Sequence, residues 1–334
     1  MSATDKSLLQ ELLFSEKELG KLRGVLKLNE PLAKYTTWKI GGNAECFYQP
    51  KDSDDIVKIL QLIPNSTPVY WIGLGSNLLI RDAGVNGLII YSNGVLNELD
   101  IQCPEEQDKK KEICLITAQV GVACAIFSRK AANYGINGAE FLSGIPGTIG
   151  GALAMNAGAF GGETWRYVRQ VETINQYGER FLRTPDDYLI SYRSIRLNDT
   201  ITKENREKGN AQEWFLSATF WFEKDEKGLQ KSKAKIKRLL NKRAQSQPTK
   251  QANAGSVFKN PENDYAARLI ESCGLKGKTI NGAQISEKHA NFIVNIGNAK
   301  SQDVEKLIAE IKNKIWLKYA IKLETEIRII GKQV

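Results

Sequence analysis

Two segments carry side chains that can stabilise or protonate an anionic centre. SYRS at 191–194 places Arg193 between hydroxyl residues, and a guanidinium can stabilise an enolate or hold a carboxylate through two hydrogen bonds. NAGSVFKNP at 253–261 places Ser256 directly after a glycine. Serine is a weak acid that gives its proton only to a strongly basic species such as an enolate. Neither segment by itself identifies a reaction.

A third segment, ETEIRII at 324–330, alternates charged and apolar residues. On a strand, Glu324, Glu326 and Arg328 would share one face because successive side chains point to opposite sides. A row of carboxylates beside an arginine is compatible with a site, but the pattern alone favours a solvated surface.

Two glycine-rich segments are suited to a ligand that the backbone approaches closely. The first, GLGSNLL at 73–79, follows a predicted strand, and its turn offers several N–H groups to an anion. It is not the dinucleotide fingerprint, because Leu78 stands where the third glycine belongs. The second, SGIPGTIGGALAMNAGAFGG at 143–162, is otherwise apolar, unlike a flexible linker. Tight turns between buried strands are the alternative interpretation.

Residue types needed for metal or hydrolytic chemistry are scarce. His289 is the single histidine, which excludes multi-histidine metal sites and disfavours a Ser-His-Asp triad. We expect a structural hydrogen bond from it and predict no metal. The G-x-S-x-G elbow of hydrolases is missing as well.

The composition predicts a soluble cytoplasmic protein. Hydrophobic residues make up 42% of the chain, without an apolar run long enough for a membrane span or a signal-peptide core. The cysteines are odd in number and form no C-x-x-C pair, so we expect reduced thiols and no zinc site. They are Cys46, Cys103, Cys114, Cys124 and Cys273.

The net charge of +9 predicts anionic small molecules as partners. Lysines gather at 230–243, where Ile236, Leu239 and Leu240 give an amphipathic helical pattern whose solvated side they form. Aromatic residues are not interleaved with them, which disfavours nucleic-acid binding. No obligate protein partner is predicted.

The order of predicted elements indicates an α+β chain with a ligand crevice between the glycine-rich region and the last domain. Asp52 is predicted to cap a helix, Ser301 to cap another, and 322–330 to form a final strand. The inserts 103–111 and 198–210 are predicted to be exposed hairpin tips. Further helices are expected at 1–24, 123–134, 230–243 and 265–272, and strands at 69–72, 88–91, 113–120, 167–175, 179–182, 214–223 and 290–294.

The ordered set of motifs closely resembles one family from about residue 26 to 331, the UDP-N-acetylenolpyruvoylglucosamine reductases. It comprises TTWKIGG, GLGSNLLIRDAG, SGIPGTIGG, NAGAFGGE, SYRS, NAGSVFKNP, ISEKHANFIVN and ETEIRIIG. The resemblance implies non-covalent FAD in a vanillyl-alcohol-oxidase (PCMH)-type fold. That fold has two α/β subdomains (25–86 and 87–223) and a C-terminal α+β substrate-binding domain (231–331), here after a helical extension at 1–24.

The resemblance further implies an activity. NADPH would reduce the flavin, and hydride would then pass to UDP-N-acetylglucosamine enolpyruvate, giving UDP-N-acetylmuramate for peptidoglycan. The family's catalytic positions fall on Arg193 for the developing negative charge, Ser256 as proton donor and Glu326 for polarisation. The implied substrate contacts are Tyr192, Arg243, Lys259 and Asn260. The implied cofactor contacts are Gly73, Gly75, Ser76, Asn77, Leu78, Leu79, Ser143, Gly144, Ile145, Pro146, Gly147, Thr148, Gly150, Gly151, Ala152, Asn156 and Gly158.

The chain departs from the family at two places. A lysine common in the family is Ser246 here, and Lys250 or Arg243 would have to supply its charge. The tyrosine-bearing capping loop expected after Phe222 is missing, which is typical of the branch that lacks it. The alternatives are another FAD-dependent oxidase of the same fold class and a non-enzymatic binder of nucleotide sugars or nucleic acid.

Overall fold

A computed structural model describes residues 20–103, 113–207, 212–224 and 228–333. The predicted leader helix at 1–24 and the insert 103–111 therefore lie almost entirely outside the described residues. The α-helices are α1 Ser53–Leu62, α2 Cys124–Asn133, α3 Ile149–Ala154, α4 Asp199–Glu207, α5 Gly228–Ser246, α6 Ala266–Ser272 and α7 Ser301–Tyr319. Among the described helices, none is both long and apolar enough to cross a membrane.

The strands are short except for one. They are β1 Val25–Pro31, β2 Asn43–Gln49, β3 Val69–Ile72, β4 Leu78–Ile80, β5 Val85–Tyr91, β6 Leu99–Gln102, β7 Ile113–Gln119, β8 Ile136–Asn137, β9 Gly158–Ala159, β10 Gly162–Glu163, β11 Val168–Asn175, β12 Arg180–Arg183, β13 Tyr188–Ser191, β14 Ser194–Leu197, β15 Glu213–Lys224, β16 Ala252–Asn253, β17 Thr279–Ile280, β18 Ala283–Ile285, β19 Ile293–Asn295 and β20 Arg328–Ile330.

The described chain divides into two compact units, each built from three separate segments. Among the described residues, unit 1 contains 20–27, 46–73 and 87–240, and unit 2 contains 28–45, 74–86 and 241–333. Strands β1, β2, β5 and β3 form a sheet of order β1-β2-β5-β3. Within unit 1, β3 pairs in parallel with β5, Val69 opposite Leu88.

Unit 1 is organised around a largely antiparallel sheet of order β12-β11-β15-β7-β6, with β8 beside β15. One face of this sheet is apolar at alternate positions and packs on α2 and α3. Phe127 of α2 meets Phe220 edge to face, with ring centroids 5.1 Å apart. The buried cluster also contains Leu153 and Trp165.

Unit 2 packs α6 and α7 on the sheet β16-β19-β18-β17. Strand β20 pairs in parallel with β4, placing Arg328 opposite Leu78. Trp38 is fully buried in this unit, and its indole N–H donates to the Ile293 carbonyl over 2.7 Å. The first glycine loop therefore enters the core of unit 2 through β4.

Two predicted helix caps have different outcomes. The Asp52 carboxylate accepts from the Asp55 N–H over 3.0 Å, which confirms the predicted start of α1. The predicted cap by Ser301 is wrong: its N–H and hydroxyl both donate to the Asp82 carboxylate, over 3.0 and 2.7 Å. Asp82 thus satisfies the first turn of α7 from a distant loop.

Two predicted segments of regular structure are wrong in part. The insert 198–210 contains α4, whose first turn is stabilised by the Asn198 side-chain oxygen accepting from the Ile201 N–H over 3.0 Å. The final strand covers only Arg328–Ile330, because the chain bends at Glu326 and Ile327.

The prediction that all cysteines are reduced is also wrong. Cys103 and Cys114 form a disulfide with Cα atoms 4.3 Å apart. Strands β6 and β7 are antiparallel with Gln102 opposite Leu115, so the next pair outward is 103 with 114. Cys46, Cys124 and Cys273 are not part of a disulfide in the described residues.

Candidate functional site

The first glycine loop fits the backbone role predicted for it. Gly75 has φ of +65°, and a Cβ there would lie 2.1 Å from the Tyr35 carbonyl oxygen, so only glycine is accommodated. The amides of Leu74, Gly75 and Ser76 donate to no acceptor among the residues that the structure describes. Consecutive backbone N–H groups that have no acceptor among the described residues suit an anionic ligand group such as a pyrophosphate.

The side chains at the end of this loop have structural partners. Leu79 is fully buried in the core of unit 2. The Asn77 side-chain amide donates to the Glu326 carbonyl oxygen over 3.1 Å, and the Asn77 carbonyl accepts from the Arg328 N–H over 3.0 Å. The sequence predicted cofactor contacts here without revealing that Asn77 also fixes the backbone at Glu326.

The second glycine loop uses many of its amides within unit 1. Ile149 and Gly150 donate to the carbonyls of Val122 and Val120, over 2.8 and 2.9 Å. Ile145 and Gly147 also donate to backbone carbonyls. This loop therefore offers fewer N–H groups to a ligand than its glycine content suggests.

Glycines in the second loop allow neighbouring side chains to lie directly against the backbone. A Cβ at Gly144 would lie 2.4 Å from the Phe160 ring, and one at Gly150 would lie 2.8 Å from Val120 Cβ. In the same unit, a Cβ at Gly73 would lie 2.4 Å from Thr148 Oγ1.

The polar side chains of this loop are engaged inside unit 1. Ser143 is buried and donates to the Glu140 carbonyl over 2.7 Å. Thr148 is buried at the start of α3 and accepts from the Gly151 N–H over 3.5 Å. At Gly151, by contrast, the only neighbour that a Cβ would meet within 4 Å among the described residues is the same Thr148 oxygen, at 4.0 Å. A ligand at this stretch would therefore meet the accessible backbone at Gly151, and not the buried hydroxyl groups of Ser143 and Thr148.

Arg193 occupies a strained hairpin turn in unit 1. Strands β13 and β14 pair Ser191 with Ser194, so Tyr192 and Arg193 form the tip. Arg193 has φ of +55°, unusual for a residue other than glycine or asparagine. Its Nη2 donates to the Gly158 carbonyl over 2.9 Å, and its Cζ lies 5.4 Å from the Tyr192 ring centroid. The guanidinium is thereby tied to the end of the second glycine loop.

Ser256 is held by bonds on both sides of it in unit 2. Before it, the Gly255 N–H donates to the Asn253 side-chain oxygen over 2.9 Å. After it, Asn291 accepts from the Val257 and Phe258 N–H groups and donates to the Phe258 carbonyl. The half-buried Ser256 hydroxyl has no hydrogen-bond partner among the described residues, so it can donate to a ligand.

Glu324 and Glu326 have different surroundings in unit 2. Glu324 is largely exposed and forms an ion pair with Lys259 at 3.3 Å. Glu326 is half-buried, and its N–H donates to the Val257 carbonyl over 2.8 Å, one residue from Ser256. The backbone thus brings the segments of Ser256 and Glu326 together.

The remaining predicted substrate residues are placed as follows. Asn260 is exposed, and its side-chain oxygen accepts from the Ala266 N–H at the start of α6 over 3.1 Å. Arg243 is half-buried on α5, where burial lowers the pKa of its guanidinium. Lys250 is exposed. Tyr192 is 46% exposed.

His289 does not make the hydrogen bond expected of it through Nδ1. This nitrogen is buried with no partner among the described residues. The ring packs edge-on against Phe292, with centroids 4.8 Å apart, and burial lowers the pKa of the imidazole. His289 therefore contributes packing.

Each unit thus gathers part of the predicted site. Unit 1 holds Gly73, the loop 143–158 and Arg193, and unit 2 holds Gly75–Leu79, Ser256 and Glu326. Sequence reasoning did not single out Asn291 as the residue that clamps the Ser256 segment. The segment ISEKHANFIVN contains no pattern that predicts this role, because an asparagine that hydrogen-bonds to the backbone of a distant segment has no characteristic sequence spacing.

Comparison with known families first defines the class of protein. Residues 44–181 match the model of an FAD binding domain. Residues 247–330 match the model of the UDP-N-acetylenolpyruvoylglucosamine reductase C-terminal domain. The predicted α+β fold class and the predicted FAD binding are confirmed.

Whole-chain relatives then define the family. Proteins described as UDP-N-acetylenolpyruvoylglucosamine reductase from Methylococcus capsulatus and Coxiella burnetii are each 44% identical to this chain. The first alignment covers 92% of this chain and 94% of the relative, and the second 93% and 98%. A crystal structure of the reductase of that name from Thermus caldophilus has a TM-score of 0.70 at 28% identity, covering 93% of this chain and 100% of its own. The chain belongs to the UDP-N-acetylenolpyruvoylglucosamine reductase family.

Proposed function

We propose that this chain reduces UDP-N-acetylglucosamine enolpyruvate to UDP-N-acetylmuramate, with NADPH as reductant and non-covalent FAD, in the cytoplasmic synthesis of peptidoglycan precursors. The observation that carries the proposal is the 44% identity to the reductase of Methylococcus capsulatus along 92% of this chain and 94% of the relative. The matches at 44–181 and 247–330 support a division into an FAD-binding domain at 25–223 and a substrate-binding domain at 231–331.

The residues present fit FAD. The buried Gly75, whose Cβ would collide with Tyr35, stands among amides that no described residue uses, and a pyrophosphate is the group of FAD that such amides suit. Bound FAD would supply hydride transfer from NADPH to the enolpyruvyl double bond. The cofactor contacts proposed at 73–79 and 143–158 follow from the family motifs.

Arg193 is proposed to stabilise the negative charge that develops beside the substrate carboxylate. A guanidinium presents a planar set of N–H donors that matches a carboxylate. The turn at 191–194 and the bond to the Gly158 carbonyl fix its direction in advance. A cation held in place before the reaction stabilises charge without reorganisation, which is the main source of electrostatic catalysis.

Ser256 is proposed to protonate the carbon next to the carboxylate, and Glu326 to polarise and orient the reacting group. The Ser256 hydroxyl has no partner among the described residues, so its proton is available. An enolate-like carbon is basic enough to take it. The bond from the Glu326 N–H to the Val257 carbonyl holds the two segments in register.

The UDP moiety of the substrate is proposed to contact Tyr192, Arg243, Lys259 and Asn260. Among the basic residues that could replace the family lysine at Ser246, the half-buried Arg243 is better placed than the exposed Lys250. A partly desolvated guanidinium gains more from a diphosphate than an exposed ammonium does.

The proposal is tested by anaerobic stopped-flow on the purified yellow protein, first with NADPH and then with UDP-N-acetylglucosamine enolpyruvate. Ser256→Ala should leave flavin reduction by NADPH unchanged and slow substrate-dependent reoxidation about 10²–10⁴-fold. Ser66→Ala, at an exposed position, is the control and should slow neither. Equal slowing of both half-reactions by Ser256→Ala would remove Ser256 as proton donor. Oxygen consumption with indifference to NADPH would indicate an oxidase, and a colourless protein would indicate a binder.

A further inference from the structure

We propose that Asn156 is a positioning residue for Arg193. The inference rests on the proposed function, in which Arg193 acts on the substrate. The family motif assigned Asn156 to cofactor binding, but its side chain in unit 1 points to another role. The carboxamide joins the second glycine loop to the hairpin that carries Arg193.

The Asn156 carboxamide uses both of its N–H groups and its oxygen inside the protein. Nδ2 donates to the Ser191 carbonyl over 3.1 Å and to Glu163 Oε2 over 3.2 Å. Oδ1 accepts from the Trp165 N–H over 3.1 Å. The residue is 1% exposed and has φ of +43°, a conformation that asparagine tolerates better than most residues.

These bonds act on the hairpin at the residue that closes it. Ser191 pairs with Ser194 across the turn that contains Arg193. Two residues beyond Asn156, the Gly158 carbonyl accepts from Arg193 Nη2 over 2.9 Å. The second glycine loop therefore holds Arg193 twice, by the backbone of its turn through Asn156 and by its guanidinium through Gly158. Since Arg193 has a strained φ of +55°, its turn depends on such outside support.

Asn156→Asp removes the donors and adds a carboxylate, while aspartate keeps the shape and the oxygen that accepts from Trp165. It replaces the N–H donors by an oxygen facing the Ser191 carbonyl and the Glu163 carboxylate. We expect reoxidation by the enolpyruvyl substrate to slow about 10-fold, the effect of losing the buried hydrogen bond to the Ser191 carbonyl. In an Arg193→Ala background, Asn156→Asp should slow reoxidation no further.

The double variant Asn156→Asp with Glu163→Gln separates the two bonds. Glu163→Gln supplies a side-chain amide that can donate to the carboxylate introduced at position 156. This restores one bond in reversed direction, while the bond to Ser191 stays lost. We expect the thermal midpoint to recover toward wild type while reoxidation stays about 10-fold slow. Recovery of the wild-type rate would overturn the role of the Ser191 bond, and the double variant decides this even if Asn156→Asp alone folds poorly.

A second readout does not depend on turnover. Phenylglyoxal modifies accessible guanidinium groups, and peptide mapping gives a rate for each arginine. Asn156→Asp should raise the modification rate of Arg193 several-fold and leave that of the exposed Arg196 unchanged. An unchanged Arg193 rate together with normal reoxidation overturns the inference. A wild-type protein that never uses the enolpyruvyl substrate overturns the proposed function instead, and Arg193 labelling still decides whether Asn156 positions it.

Discussion

The side-chain amide of Asn77 donates to the carbonyl oxygen of Glu326 over 3.1 Å. Asn77 belongs to the first glycine loop, and Glu326 lies at a bend near the end of the chain. The Arg328 N–H returns a bond to the Asn77 carbonyl over 3.0 Å, and the Glu326 N–H bonds to Val257 over 2.8 Å. The backbone at Glu326 is therefore fixed on one side by the proposed flavin loop and on the other by the Ser256 segment.

This placement predicts that Glu326 contributes to turnover and Glu324 does not. Glu326→Gln should slow reoxidation by the enolpyruvyl substrate about 10²-fold or more, because the carboxylate proposed to polarise the reacting group is lost. Glu324→Gln removes only a surface ion pair with Lys259, worth about 0–1 kcal/mol, so kcat should stay within two-fold. Single-turnover rates of both variants check this. A slow Glu324→Gln beside a normal Glu326→Gln would reverse the assignment.

Local pattern was sufficient to predict much of the fold. The Asp52 cap, the strand β15 and the helix α2 follow from side-chain periodicity and capping chemistry, which act over a few residues. The ordered motifs predicted the family, which the 44% identity confirms. The individual roles of Arg193, Ser256 and Glu326 stay predictions.

Other features depend on contacts between distant segments, and no local pattern contains them. Asp82 satisfies the first turn of α7 across 219 residues of sequence, while Asn77 and Asn156 bond to the backbone of remote turns. Each unit is built from three segments. The bend at Glu326 likewise depends on bonds to residues 77 and 257, so alternation alone predicted a straight strand.

A side chain at position 75 should be destabilising for two reasons, backbone strain and a steric clash. A second glycine, Gly94, serves as a control that has the strain without the clash. Gly75→Ala adds the strain of φ +65° and a Cβ 2.1 Å from the Tyr35 oxygen. Gly94→Ala adds similar strain at φ +79° with nothing within 4 Å, about 1–2 kcal/mol. We expect Gly94→Ala to lower only the thermal midpoint, and Gly75→Ala to lower it further and lose FAD, measured from flavin absorbance per protein. FAD retained by Gly75→Ala would show that the loop shape is not required for binding.

The buried carboxylate of Asp55 should make unit 1 sensitive to acid. Burial raises its pKa, but hydrogen bonds from the Arg23 and Lys51 N–H groups (2.9 and 2.8 Å) and from the Tyr48 hydroxyl (2.5 Å) outweigh this, and the pKa is lowered. A lowered pKa in the folded state contributes stability above the ordinary value of about 3.9. That contribution is lost as pH falls through the folded value.

Asp55→Asn should therefore lower the free energy of unfolding by about 2 kcal/mol at pH 7, and the deficit should shrink as the pH falls below about 4. Urea unfolding at several pH values measures it. Asp54→Asn is the control, because Asp54 is exposed and its ion pair with Arg180 lies at the surface. A deficit that does not change with pH would mean that the Asp55 charge is not its source.

The Cys103–Cys114 disulfide should stabilise unit 1 without affecting turnover. It closes a segment with a sequence separation of 11, for which loop-closure entropy gives about 3 kcal/mol, or roughly 6–12 °C in thermal midpoint. Reductant should lower the midpoint of the wild type by this amount and leave Cys103→Ser unchanged. Cys273→Ser, which removes a free thiol, should keep the full response to reductant.

Thiol titration of the denatured wild type should find Cys46, Cys124 and Cys273 only. If Cys103 and Cys114 also titrate, and reductant does not change the thermal midpoint, the pair stays reduced in the isolated protein.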